Sequence, residues 1–309
     1  MKKNLIILPA LLVFNCAAHA LESGACFLKI DSDARAVSMG SAYTALASGV
    51  SAISYNPAGL SLANTLELGF SHTNWLMDSK HDFIGIAMPI KSNPGMIREN
   101  TNSGWVAGLG VIRLSNSSTE VRNADRSVGG SFSSYDQSVS LGLARAIGKN
   151  HLGFGIKYLE SYIAGEKARG AAVDFGFSRT LNTHLPLSVG LAVQNLGTGM
   201  KYLNQSDPLP LSVAAGLSLS IIPGINLSFD AKRQVYDKQT NISFGTEYTV
   251  LSGFALRSGY MANTNLNGFK SKGFSAGAGF ALWNTQLDYA ITPYGELGNT
   301  QKVTLKKRF

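Results

Sequence analysis

The sequence predicts a closed antiparallel β-barrel of about fourteen strands, spanning an outer membrane with a small helical plug in its lumen. Three observations carry that expectation. The chain opens on an export signal, most of its length is a ladder of period-two segments, and the last segment ends on an aromatic residue.

The signal comes first. Lys2 and Lys3 precede an apolar run from Leu5 to Phe14, and Ala18-His19-Ala20 supplies small residues for cleavage. The run is too short to anchor the mature chain in a bilayer, so residues 1–20 read as a secretory signal peptide. Lipid modification at Cys16 is disfavoured by Phe14 and Asn15, where such processing wants small residues. Cleavage after Ala20 leaves Cys26 as the one cysteine, so no intrachain disulfide holds the exported protein together. Net charge is +8, falling by two to +6 once Lys2 and Lys3 are removed. Lys302, Lys306, Lys307 and Arg308 supply much of that surplus, and export makes anionic lipid headgroups its expected partner rather than nucleic acid.

No later segment has eighteen consecutive apolar residues, which leaves strands as the way to cross a bilayer. In Gly170–Leu181, Ala171, Val173, Phe175 and Phe177 alternate with Ala172, Asp174, Gly176 and Ser178. Similar alternation recurs near 65–75, 81–90, 103–115, 133–147, 151–162, 170–181, 185–196, 209–221, 225–236, 241–250, 254–262, 273–283, 285–292 and 300–309. Period two places one apolar and one polar or small face on each strand, and about ten residues suffice for a tilted crossing. The joints add an independent sign. "GKN", "NTH", "PG", Ser252-Gly253 and Asn284 are short, while "NSSTEVRNADRSVGGSF", "GTGMKYLNQSDP", "NTNLNGFKSK" and "PYGELGN" are longer. Short and long joints mostly take turns, as on the two rims of a barrel, with "KSNPGMIRENTNS" and the joint after Tyr236 breaking the pattern. Both termini then fall on the tight-turn, periplasmic side. Trp75, Trp105, Tyr158, Tyr248, Trp283 and Tyr294 lie near segment ends, where an interfacial girdle would sit. Phe309 is in register with Val303 and Leu305, a terminal strand suited to the bacterial barrel-assembly machinery.

Ahead of the ladder, residues 33–47 read as a helix with Ser32 or Asp33 as N-cap. Its residues are small nearly all round, which suits close packing inside a lumen. Asn56-Pro57-Ala58-Gly59 reads as a rigid turn, with Gly59 free to take a positive φ, passing the chain from plug to wall. The organisation expected is a plug, or hatch, over 21–63 and a barrel over 64–309.

The block from Ala34 to Leu62 resembles the N-terminal region of PorV/PorQ-type outer-membrane proteins, relatives of the fatty-acid transporter FadL. Ala34-Arg35-Ala36, Met39-Gly40, Ala42-Tyr43, Ser51-Ala52 and Asn56-Pro57-Ala58-Gly59-Leu60 carry the likeness, with Phe70–Asp78 beyond them. The resemblance implies a fourteen-stranded barrel with a hatch that contains the Asn-Pro-Ala turn. It marks Arg35, Met39, Gly40, Tyr43, Asn56, Pro57, Ala58 and Gly59 as hatch or gating residues. It also implies two partner classes, a hydrophobic small molecule passed through the barrel or secreted cargo of a type IX-like export system.

Catalytic patterns are poor. His72, His81, His151 and His184 are scattered without metal-ligand spacing, so neither a metal nor a cofactor is expected. Gly108-Leu109-Gly110 and Gly153-Phe154-Gly155 lie inside strands and mark crowding rather than phosphate binding. Asp174, Asp230, Glu247, Asp288, Lys157, Lys232 and Arg257 share the polar face and read as paired charges lining a hydrated lumen. A conduit, not an enzyme, is the expectation.

Overall fold

The computed structural model describes residues 23–90, 104–116, 119–122, 125, 127–182, 185–202, 205–265 and 268–309. The expected signal peptide and His184 lie outside these residues. Fourteen strands close into one antiparallel barrel. They are β1 (Glu67–Asn74), β2 (Lys80–Ile90), β3 (Trp105–Ser115), β4 (Ser134–Ile147), β5 (Asn150–Ile163), β6 (Glu166–Asn182) and β7 (Pro186–Gly197). The remainder are β8 (Ser212–Ile222), β9 (Ile225–Gln234), β10 (Gln239–Leu251), β11 (Phe254–Asn265), β12 (Gly268–Leu282), β13 (Thr285–Pro293) and β14 (Asn299–Arg308). β1 closes on β14 from Glu67↔Arg308 to Asn74↔Gln301, and Phe309 N–H donates to Leu66 O at 2.9 Å to finish the seam. Closure leaves no unpaired edge, which a bilayer core demands.

The outward faces carry exposed apolar residues such as Phe70, Ile84, Leu109, Leu141, Phe154 and Phe175. A one-residue change of face separates them from the buried inward residues, so the alternation in the sequence is the inside–outside alternation of the wall. The tight-turn rim holds the joints at 148–149, 223–224, 252–253 and 283–284; the opposite, loop rim carries two short ladders. One pairs Thr119–Arg122 with Val128–Phe132, the other Met200–Tyr202 with Gln205–Asp207.

Several expectations change. The long joint read over 263–272 shrinks because β11 continues to Asn265 and β12 starts at Gly268, their ends still pairing beyond a register shift between Met261 and Ala262. Tyr158 sits in mid-strand, because β5 and β6 run on past the apolar belt. Trp75 and Tyr294 meet edge to face at 5.5 Å and line an internal cavity instead of joining an outer girdle. Lys302 and Lys306 are not offered to headgroups; both are buried and point into the lumen, where Lys306 pairs with Asp33.

Fourteen strands enclose more space than wall side chains alone can fill. The N-terminal segment occupies it. Its elements are 3-10 turns over Cys26–Lys29, Gly49–Ser54 and Pro57–Leu62, and one helix, α1 (Ala34–Ser38). The helix is thus five residues long, not the fifteen expected. Asp33 caps it by accepting Arg35 N–H at 2.8 Å, and Gly40 and Ser41 end it at φ 62° and 66°. Beyond them, Tyr43 and Thr44 N–H groups donate to wall Asp230 Oδ2 at 2.9 and 2.7 Å. A wall carboxylate has replaced the helical carbonyls these amides would otherwise use.

The wall makes room by losing side chains. A Cβ on Gly153 would lie 2.2 Å from Pro57 C, on Gly190 2.5 Å from Thr44 O, and on Gly259 2.0 Å from Gly40 N. Gly108 and Gly142 similarly face Leu60, at 2.9 and 2.7 Å. Gly108, Gly110 and Gly153 mark crowding, as expected, and what crowds them is the plug; Gly155 does not, since a Cβ there would meet its neighbours only at 3.6 Å.

Candidate functional site

The expected hatch residues all lie in the plug, spread over three seams with the wall. Asn56 caps the Pro57–Leu62 turn, its Oδ1 accepting Ala58 N–H at 3.2 Å. Its Nδ2 donates to Thr44 O within the plug at 2.9 Å and to Phe177 O of β6 at 3.0 Å. Pro57 holds the first helical position, where a missing N–H costs nothing. Ala58 N lies 2.7 Å from where a Cβ on Gly176 would be, so plug and wall touch backbone to backbone. Gly59 does not take the positive φ expected; it is glycine because a Cβ there would lie 2.0 Å from Ala47 O.

On the other side of the lumen, Met39 is fully buried with its backbone against Gly245, and Gly40 N–H donates to Ser275 Oγ at 3.1 Å. Tyr43 packs edge-on to Tyr55 at 5.1 Å, and the Arg35 guanidinium lies 5.9 Å from the Tyr43 ring centre. Arg35 reaches Glu247 through two bonds, Nε to Oε2 at 2.8 Å and Nη2 to Oε1 at 2.7 Å. Glu247 Oε2 also accepts Arg257 Nε at 2.6 Å, and Arg257 Nη1 donates to Asp288 Oδ1 at 2.7 Å. Two guanidiniums and two carboxylates thus neutralise one another, with Glu247, Arg257 and Asp288 buried and Arg35 at the partly exposed edge of the set. The paired charges expected on the inner face are present, here and at Lys157–Asp174 (2.7 Å), but the plug covers them instead of bulk water.

Sequence reasoning missed Glu67, Lys302 and Thr304 as wall partners of the plug, and the pairing of Asp33 with Lys306. Glu67 accepts Val50 N–H at 2.9 Å, and Thr304 accepts Ala34 N–H at 2.8 Å. Lys302 donates to Asp31 O, and Lys306 pairs with the Asp33 carboxylate. Their shared signal was available: each wall residue sits on the inward parity of its strand, and an inward polar side chain needs a partner. The histidines go separate ways. His72 bonds Asp82 at 2.6 Å, His151 meets Ser61 at 2.7 Å and His81 is buried in the wall.

Two cavities flank α1. The larger, about 570 Å³, lies toward the loop rim; Val37, Gly40 and Ser41 form part of its floor, with Phe27, Trp75, Met261 and Tyr294 among its walls. A second, about 250 Å³, lies toward the tight-turn rim and is bounded by Arg35, Glu247, Arg257 and Phe254. A helix of five residues and one ionic cluster separate them.

Comparison with known proteins bears on the fold. The family model of the uncharacterised protein family UPF0164 matches residues 21–95, which take in the plug and β1–β2. The Ralstonia pickettii toluene transporter TbuX is similar in structure, with a TM-score of 0.64 at 12% identity over 90% of this chain and 99% of that one. The CymD monoaromatic hydrocarbon channel gives 0.67 at 11% identity, over 90% and 97%. A Pseudomonas aeruginosa FadL homologue gives 0.55 at 10% identity, over 89% and 97%. At such identities the likeness is one of fold: the closed fourteen-stranded barrel of this chain is similar in architecture to those proteins. No curated protein matches the sequence.

Two expected outcomes test the seating of the plug. Asn56→Ala removes three hydrogen bonds, two within the plug and one to the wall, each worth about 1 kcal/mol. The plug should become protease-sensitive while the barrel keeps its heat-dependent gel shift; Pro57→Ala should do the same more weakly. Acid is the second test. Burial alone would push the Asp33 carboxyl up, but the Lys306 ammonium beside it holds it below its ordinary value. A depressed carboxyl stabilises the seated plug above about pH 4 and loses that contribution as pH falls through its folded value. Pepsin cleavage in the plug should rise below about pH 4 in the wild type. In Asp33→Asn the plug should already be looser at neutral pH, with a flatter acid response.

Proposed function

We propose that this protein is an outer-membrane conduit that takes up small hydrophobic molecules, with the N-terminal plug as its gate. The observation that carries the reading is the cavity of about 570 Å³ at the loop rim, mostly apolar and floored in part by Val37, Gly40 and Ser41 of the plug. A ligand leaving it for the opposite rim has to displace α1 and break Arg35 from Glu247. The hydrocarbon transporters of similar fold support this reading by architecture, and the PorV/PorQ likeness of the hatch residues is compatible with it. A secretion accessory needs a cargo-docking face rather than a buried apolar chamber, so the cavity favours transport. In this reading, the strand ending at Phe309 engages the assembly machinery, and both termini face the periplasm.

Cys26 gives the test, because it lines the cavity and its side chain is exposed. A small hydrophobic fluorophore should bind the purified barrel in detergent, and a bulky maleimide on Cys26 should reduce binding at least tenfold. Val37→Trp, which fills the floor of the cavity, should do the same without a thiol reagent. Unchanged binding in both the modified protein and the variant would remove the proposal.

A further inference from the structure

The outer wall across β3–β6 is stratified by register. Leu109, Leu141, Ile156 and Val173 form one outward row, and Val111, Val139, Tyr158 and Ala171 the next toward the loop rim. The row beyond is Arg113, Gln137, Glu160 and Arg169, and beyond that Ser115, Tyr135, Tyr162 and Lys167. The change from apolar to charged within one row places these residues at the lipid headgroup level.

The charged rows are organised. Tyr135 and Tyr162 stack at 5.4 Å; the Arg113 guanidinium lies 4.5 Å from the centre of the first ring and Lys167 Nζ 5.9 Å from the second. Glu160, the one carboxylate of the two rows, is engaged by the Tyr135 hydroxyl at 2.9 Å and by Arg169 Nε at 3.4 Å. Three cations against one acid leave a net charge of +2 on an aromatic platform.

Directly below the platform the wall is hollowed. A groove of about 440 Å³ opens outward, with Leu141, Ile156, Tyr158, Ala171, Val173 and Leu196 among its lining residues. It exists because β6 and β7 fall out of register between Val173 and Phe175, and because Ala171 and Gly197 leave nothing to fill the gap. A Cβ on Gly197 would lie 2.0 Å from Ala171 O, so the hollow is set by backbone.

We propose that this is a binding site for one membrane lipid with a phosphate-bearing anionic headgroup, its phosphate on Arg113, Lys167 and Arg169 and an acyl chain in the groove. Charge complementarity selects the head, since guanidinium and ammonium groups at a membrane surface attract anionic lipid. The apolar groove, continuous with the platform, selects a lipid over free phosphate. Its occupant belongs to the leaflet on the loop-rim side.

The test is lipid retention. The full barrel is reconstituted in nanodiscs of equal phosphatidylglycerol and phosphatidylcholine, extracted in mild detergent, and its retained lipid read by native mass spectrometry. The wild type should keep phosphatidylglycerol preferentially. Each cation removed should weaken that preference about fivefold, so Arg113→Gln/Lys167→Gln/Arg169→Gln should abolish it. Ala171→Phe, which fills the groove and leaves the platform intact, should lower retention as well. Millimolar inorganic phosphate should not displace the lipid. Equal retention of both lipids by the wild type, or a preference that survives the triple change in a barrel with normal gel shift, would overturn the site.

Discussion

Gly259→Ala should unseat the plug while the barrel stays closed. Gly259 faces inward from β11, and a Cβ there would lie 2.0 Å from Gly40 N and 2.1 Å from Met39 C. Both are backbone atoms, so no side chain can rotate away, and the segment at Gly40 must lift from the wall. Overpacking usually costs about 1–3 kcal/mol when side chains can adjust; a backbone clash belongs at or above the top of that range. Lifting Gly40 also breaks its bond to Ser275 and draws on the Arg35–Glu247 pair, five residues back along the chain. Limited trypsin treatment reads the outcome, through cleavage after Lys29 or Arg35 in folded, heat-modifiable barrel. Gly155→Ala is the matched control, since a Cβ there would meet its neighbours at 3.6 Å, ordinary contact. A plug as protected in Gly259→Ala as in the control would mean that it is not held by backbone fit.

Glu247→Ala should be more damaging still, and for an electrostatic reason. Arg35 and Arg257 both bond this carboxylate, and without it the two guanidiniums share a buried site with Asp288 alone. Removing one partner of a buried ionic set costs about 3–5 kcal/mol, mostly from the charge left uncompensated. The variant should melt well below the wild type and show increased conductance in planar bilayers, as the two cavities flanking α1 join. Arg35→Met in the same chain should restore much of the stability, because Arg257 and Asp288 can then pair one to one. A double-mutant cycle gives the coupling; strict additivity of the two changes would show that the cluster does not act as a unit.

These two positions show what could be read ahead of the structure and what could not. Glu247 and Arg257 fall on the polar face of period-two segments, so their inward direction followed from parity alone. That Arg35, more than two hundred residues earlier, completes their charge balance did not follow, because contacts of such separation leave no local trace. Gly259 could be seen as a glycine inside a strand, yet nothing near it says which backbone it must admit. The helix expected over 33–47 failed for a related reason. Its composition is permissive, and the wall acceptor Asp230 captures the Tyr43 and Thr44 amides that would have extended it. The lysines near the C-terminus were misjudged by treating a charged block as one surface, when strand geometry sends Lys302 and Lys306 inward and Lys307 out.

By itself the sequence determined the strand ladder, its count of about fourteen and the alternation of apolar and polar faces along it. Those properties are local: a bilayer requires an apolar outer face and a hydrogen-bonded backbone, and period two records both along the chain. Tertiary structure alone decided how far the plug helix extends, which charges meet, where the cavities lie and where the wall is hollowed. Each of these depends on which backbones approach within a few ångströms after closure, and closure brings together residues that the chain keeps far apart.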